Sequence, residues 1–186
     1  MVPLLSLCVP ILVSAVIVFV ASSVIHMLLP YHRSDFKHVP AQDEVMAALG
    51  KFNLPPGDYM MPRPASPGAM RSPEYIAQRT KGPVAIFTVL KSGPPTMGPS
   101  LIQWFLYLIV VGFLTAYVTG RALGPGSSYL SVFRIAGATA FIAHAVGQWP
   151  ASIWYQRSWA TTFKNTVDGL VYGVLAAGTF GWLWPR

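Results

Sequence analysis

Residues 166–184 read TVDGLVYGVLAAGTFGWLW, an apolar run in which Gly169, Gly173, Ala177 and Gly181 recur at every fourth position. On an α-helix that spacing stacks the small residues on one narrow stripe, along which a second backbone can approach closely. The run predicts a membrane helix built for packing, and it sets the terms for the rest of the chain.

The 186 residues are 53% hydrophobic and 10% charged, with a mean hydropathy of +0.49; an ordinary soluble domain carries roughly 25% charged residues. A hydrocarbon core of about 30 Å needs about 20 apolar residues per helix. Four stretches meet that need: Pro3 to Leu29, Leu101 to Gly120, Tyr129 to Trp149 and Thr166 to Trp184. The expected fold is an all-α integral membrane protein, a four-transmembrane-helix bundle with a small α+β segment of two short helices and two short strands between helices 1 and 2. Residues 1–30 form the first helix, 31–99 the extramembrane segment, and 100–186 the other three helices with an interfacial segment near 150–165. The first stretch lacks the basic flank of a signal peptide and exceeds its usual apolar length, so it is expected to be retained. Pro10 is placed to kink it, and the single cysteine, Cys8, has no intramolecular partner for a disulfide.

The 31–99 segment is too long for a plain connector and should hold its own small fold. After Pro40, AQDEVMAALGKF carries acids in its first turn and puts Val45, Met46, Leu49 and Phe52 on one face, an amphipathic helix. Ser72 as N-cap, Pro73 at the first helical position, Glu74 in the first turn and Gly82 beyond the last predict a helix over 73–81. Val84 to Leu90, bounded by Gly82-Pro83 and Gly93-Pro94-Pro95, has the β-branched and aromatic content of a strand. Its local partner is Asp58 to Met61, and the two helices are expected to cover the pair.

The formal charge of +7 is spread too evenly for a nucleic-acid surface. The expected partners are instead the lipid bilayer, its anionic headgroups, and another membrane protein or a second copy. Arg33, Lys37, Lys81, Lys91, Arg157 and Lys164 outnumber Arg121, Arg134 and Arg186 on the opposite side. By the positive-inside rule, both termini are expected outside and 31–99 in the cytoplasm of an inner-membrane, bacterial-type protein. Gly112, Ala116 and Gly120 repeat the small stripe in the second span, and Ala136, Ala140, Ala143 and Gly147 approximate it in the third. Aromatic residues gather at both predicted interfaces, among them Trp104, Tyr107, Trp149, Trp154 and Trp159 on the inner side.

Ionisable groups inside spans are costly and are functional candidates. His26 and His144 fall roughly 6 and 9 Å below the same boundary, a matched depth at which two imidazoles can ligate a b-type haem. Asp168 sits four residues after Lys164 at the start of the last span, where that lysine and the positive end of the helix dipole are expected to neutralise it; the other reading is a proton relay with His144 and Gln148. Arg134 can snorkel to the opposite boundary. His32, Arg33 and Asp35 form a juxtamembrane polar cluster. No HExxH, GxSxG, paired CxxC or phosphate-loop pattern occurs, so no catalytic residue, metal site or cofactor is assigned. The main functional reading is an accessory, assembly or scaffold component of a membrane complex. The alternative is a lipid-headgroup-directed membrane enzyme, or a haem or proton-relay protein, built on His26, His144 and Asp168.

Overall fold

A computed structural model describes all residues from Met1 to Arg186. In chain order the elements are α1 (Cys8–Ser23), α2 (Gln42–Gly50), β1 (Gly57–Met61), α3 (Pro73–Lys81), β2 (Ala85–Val89), α4 (Gly98–Ala122), α5 (Tyr129–His144), α6 (Trp149–Tyr155) and α7 (Trp159–Trp182). They form two compact units: Met1–Phe36 with Thr96–Arg186, and Lys37–Pro95. Residues 31–36, the start of the expected extramembrane segment, group with the helical unit. A Pro-led turn of 3-10 helix, Pro30–Ser34, takes them there.

In the helical unit, three stretches are long and apolar enough to cross a membrane: Leu4–Leu28, Gly98–Ala122 and Tyr129–Tyr155. The first joins a 3-10 turn, Leu4–Leu7, to α1 and ends in a π turn, Val24–Leu28. Pro10 is buried within α1, and the irregular turn lies at the helix's far end. The third stretch is not one continuous α-helix as expected: α5 stops at His144, a 3-10 turn spans Val146–Gln148, and Pro150 sits in the first turn of α6. Helix α7 has 24 residues, about 36 Å at 1.5 Å per residue. Its first half carries Lys164, Asn165 and Asp168, which lower its hydropathy below that of the other three.

The small residues are consumed by contacts within the unit. A Cβ added at Gly169 would lie 2.8 Å from the Cβ of Ala145, and one at Gly173 would lie 3.2 Å from the backbone nitrogen of Phe141. Gly112 faces Ile11 of α1, Gly120 faces Val2, and Gly181 lies against the ring of Tyr129. Ala116, Ala136, Ala140 and Ala177 are fully buried. Gly147 departs from the expected stripe, because the chain has left α5 there and nothing lies within 4 Å of its Cβ position. Polar ties close the end away from the π turn: the Val2 amide donates to the Gly120 carbonyl at 2.8 Å, the Gly126 amide to the Pro185 carbonyl at 2.9 Å, and the Trp184 indole to the Gly124 carbonyl at 3.0 Å.

The second unit holds an antiparallel pair, β1 with β2, in which Gly57 faces Val89 and Met61 faces Ala85. Tyr59 stacks on Phe87 with ring centroids 5.7 Å apart. Ser72 caps α3 by accepting from the Tyr75 amide at 3.2 Å, and Gly82 ends the helix at φ +60°. Helix α2 does not cover the sheet as expected: every one of its residues is exposed, Val45, Met46 and Leu49 included, as is Phe52 beyond its end.

Gly169→Ala forces a methyl against Ala145, where backbone atoms at 3.2 Å leave little room to give, and overpacking of this kind costs about 1–3 kcal/mol. Thermal unfolding in detergent, followed by circular dichroism, is expected to show a lower midpoint for Gly169→Ala and an unchanged one for Gly147→Ala.

Candidate functional site

The polar groups near one end of the helical unit converge because the chain leaves α1 irregularly. At the π turn the Leu29 amide reaches back to the Val24 carbonyl at 3.2 Å. Pro30 disfavours helical backbone at Leu29, which is extended at φ −81°, ψ 137°. The following 3-10 turn folds the chain back, and the rings of His26 and His32 come to rest 4.3 Å apart between centroids.

Helix α7 supplies the other half. Lys164 and Asp168, one turn apart and on a common face, were read as a pair, but each meets residues of the 30–35 turn. The Lys164 ammonium donates to Ser34 Oγ at 2.8 Å, to Asp35 Oδ1 at 2.9 Å and to the Tyr31 carbonyl. Asp168 accepts from the Tyr31 hydroxyl at Oδ1, and its Oδ2 lies 2.9 Å from His32 Nε2 and 3.9 Å from His26 Nε2. His32 Nδ1 lies 2.7 Å from Asp35 Oδ2. An imidazole is thus held between two carboxylates. The Asp168 side chain is 5% exposed, whereas that of His26 is 47% exposed. His26, His32 and Asp168 each offer one ligand atom within 4.8 Å of the others, so these three could hold a metal ion.

Beside the cluster lies a cavity of about 300 Å³, lined by His26, Trp104, Tyr107, His144, Gln148, Asn165, Asp168 and Tyr172. One wall is ionisable and the other aromatic. The His144 ring is enclosed by Tyr107 and Tyr172, with centroids at 5.7 and 5.4 Å. Trp104 is anchored by its indole to Ser22 Oγ at 2.8 Å, and Tyr107 donates to the Ala143 carbonyl at 2.9 Å. The Tyr172 hydroxyl is buried and has no hydrogen-bond partner.

His26 and His144 both line this cavity, and the imidazole packed against His26 is that of His32. Gln148 bonds to the backbone of His144 and to Asn165. Its amide donates to the His144 carbonyl at 2.8 Å and accepts from Asn165 at 2.8 Å. Arg33 is exposed, and Arg134 borders a separate apolar cavity with Phe133, Phe141, Leu170 and Val174; neither joins the cluster. Tyr31, Asn165 and Tyr172 belong to the site although their sequence context did not single them out. They fall next to His32, Lys164 and along one face from Asp168, the only signal available.

Comparison with protein-family models, with curated proteins and with solved structures finds no match to this chain.

Burial pushes the Asp35 carboxyl up, but the hydrogen bonds it accepts from His32 and Lys164 outweigh that and hold it below the usual carboxylate range. A depressed folded-state pKa contributes stability that is present above the unfolded aspartate pKa and lost as the pH falls through the folded one. Melting midpoints measured down an acid series are expected to fall over that window in the unmodified protein, and the fall should be smaller in Asp35→Asn, which carries no titrating group at this position.

Proposed function

We propose that this chain is a multi-pass membrane enzyme that takes the polar end of an amphiphile into the cavity and acts on it with His26 and Asp168. One observation carries this reading: Tyr172, whose hydroxyl is buried without a hydrogen-bond partner, lines the same cavity as an imidazole and a carboxylate. Burying an unsatisfied hydroxyl costs about 1–3 kcal/mol, a cost that a ligand's acceptor removes. In this reading His26 and Asp168 exchange protons with the bound headgroup. His32 and Tyr31 orient Asp168, while Asp35 and Lys164 orient His32.

The same reading makes α7 a fourth span. Lys164, Asn165 and Asp168 all hydrogen-bond within the protein, and the exposed residues of the helix include Val167, Leu170, Val171, Val174 and Trp182. An apolar outer face is what lipid requires, whatever the average over the whole helix. The cavity then lies near the more basic side, the cytoplasmic one by charge asymmetry. A scaffold role has less to stand on, because its argument began from the small-residue stripes, and Gly112, Gly120, Gly169, Gly173 and Gly181 already meet residues of this chain.

The test is turnover in vesicles of mixed phospholipids, with products followed by mass spectrometry. Loss of an acid–base group costs roughly 10²–10⁴-fold. Asp168→Asn, shown to be folded by circular dichroism, is expected to lose at least about 100-fold of turnover, while Arg134→Ala retains it. Equal turnover by folded Asp168→Asn and the unmodified protein, or no lipid consumed at all, discards the enzyme reading.

A further inference from the structure

Three donors in the cluster, one each from His26, His32 and Asp168, lie within 4.8 Å of one another. Ligand atoms about 2.0–2.1 Å from a tetrahedral zinc ion lie roughly 3.4 Å from one another. The separations from Asp168 Oδ2 to His32 Nε2 and to His26 Nε2, 2.9 and 3.9 Å, bracket that value. We propose that His26, His32 and Asp168 hold one divalent transition-metal ion, zinc by its donor set, with a remaining coordination position turned toward the cavity. Two imidazoles and a carboxylate are the donors catalytic zinc takes when the fourth place is left to water or substrate.

The surroundings fit an ion as well as the donors do. A metal-bound imidazole characteristically gives its other N–H to a carboxylate, and His32 Nδ1 lies 2.7 Å from Asp35 Oδ2, leaving Nε2 as the lone-pair nitrogen. The Tyr31 hydroxyl occupies Asp168 Oδ1, and Oδ2 is the oxygen that faces both imidazoles. Charge points the same way. Asp35 is neutralised by Lys164 at 2.9 Å, whereas Asp168, almost fully buried, has no Lys or Arg ion pair. A buried carboxylate without a Lys or Arg partner remains expensive even when hydrogen-bonded, and a cation between it and two neutral imidazoles lowers that expense. The half-exposed His26 gives an ion a way in.

The ion's catalytic role rests on the enzyme reading above, with the ion taking the place of direct proton exchange by His26 and Asp168, whose facing atoms it occupies; its binding does not depend on that reading. The experiment uses the full chain, free of any affinity tag, stripped with a chelator in mild detergent and reloaded with Zn²⁺ alone. Bound metal is counted by mass spectrometry, and affinity is measured by competition with a chromophoric chelator. The expected result is one ion per chain, none in His32→Ala or Asp168→Ala, and affinity 10–100-fold weaker in Asp35→Asn, as for loss of an outer hydrogen-bond partner. Cys8→Ser, which removes the only thiol, should bind as the unmodified protein does. Because changes at buried Asp168 can unfold the chain, His26→Gln at the half-exposed ligand provides a second variant, expected to bind at least tenfold more weakly. Failure to retain Zn²⁺, or full affinity in folded His26→Gln and His32→Ala, overturns the site. Lipid turnover that persists in the metal-free protein overturns the metal's role while keeping the enzyme; one tight ion without turnover keeps the site and removes the enzyme.

Discussion

Asp168 places a carboxylate where almost no water reaches it, and the helical unit is arranged around meeting that demand. Burying an ion without partners costs several kcal/mol even after relaxation. No cation on α7 answers it, since Lys164 turns to Asp35. What answers it comes from the other end of the sequence: the Tyr31 hydroxyl and the His32 imidazole. A local irregularity of the first helix is therefore the means of solvating a charge on the last. Were α1 to run straight through Pro30, those donors would not return to the bundle.

The site's polarity and the bundle's packing are separated on α7. One face of its first half meets the 30–35 turn with Lys164 and Asp168, while the face carrying Gly169, Gly173 and Ala177 packs toward α5. The glycines let backbones approach where lipid gives helices no hydrophobic reason to associate. This close approach fixes α7 against α5, and with it the position of Asp168 relative to the cavity wall that carries His144.

Local signals in the sequence were sufficient for local structure. The helix over 73–81 was legible from Ser72, Pro73 and Gly82, and the strand from its β-branched run, because caps and turns are decided within a few residues. His26, His32, Asp35 and Asp168 stood out because charge in or beside an apolar span is costly. Their meeting did not, since His32 and Asp168 are 136 positions apart and no residue spacing encodes that contact. Helical periodicity actively misled at Lys164 and Asp168, where a four-residue interval suggested a pair and tertiary partners took both. It misled again at Gly147, where periodicity continued through a helix that had already ended, and at α2, whose apolar face is uncovered.

The ties at Val2, Gly126 and Trp184 have a consequence for the opposite end. With the helices pinned there by backbone hydrogen bonds, and joined at the cavity end through Tyr31, His32 and Lys164, the unit is a frame braced at both extremes. Sliding or splaying of whole helices would break several bonds at once. Motion at the cavity is therefore left to side-chain rotation, which the half-exposed His26 is placed to undergo. Rotamer hops of exposed side chains take picoseconds to nanoseconds, whereas collective helix shifts take microseconds or longer. The frame holds the walls of the cavity stationary while the side chains at its edge move.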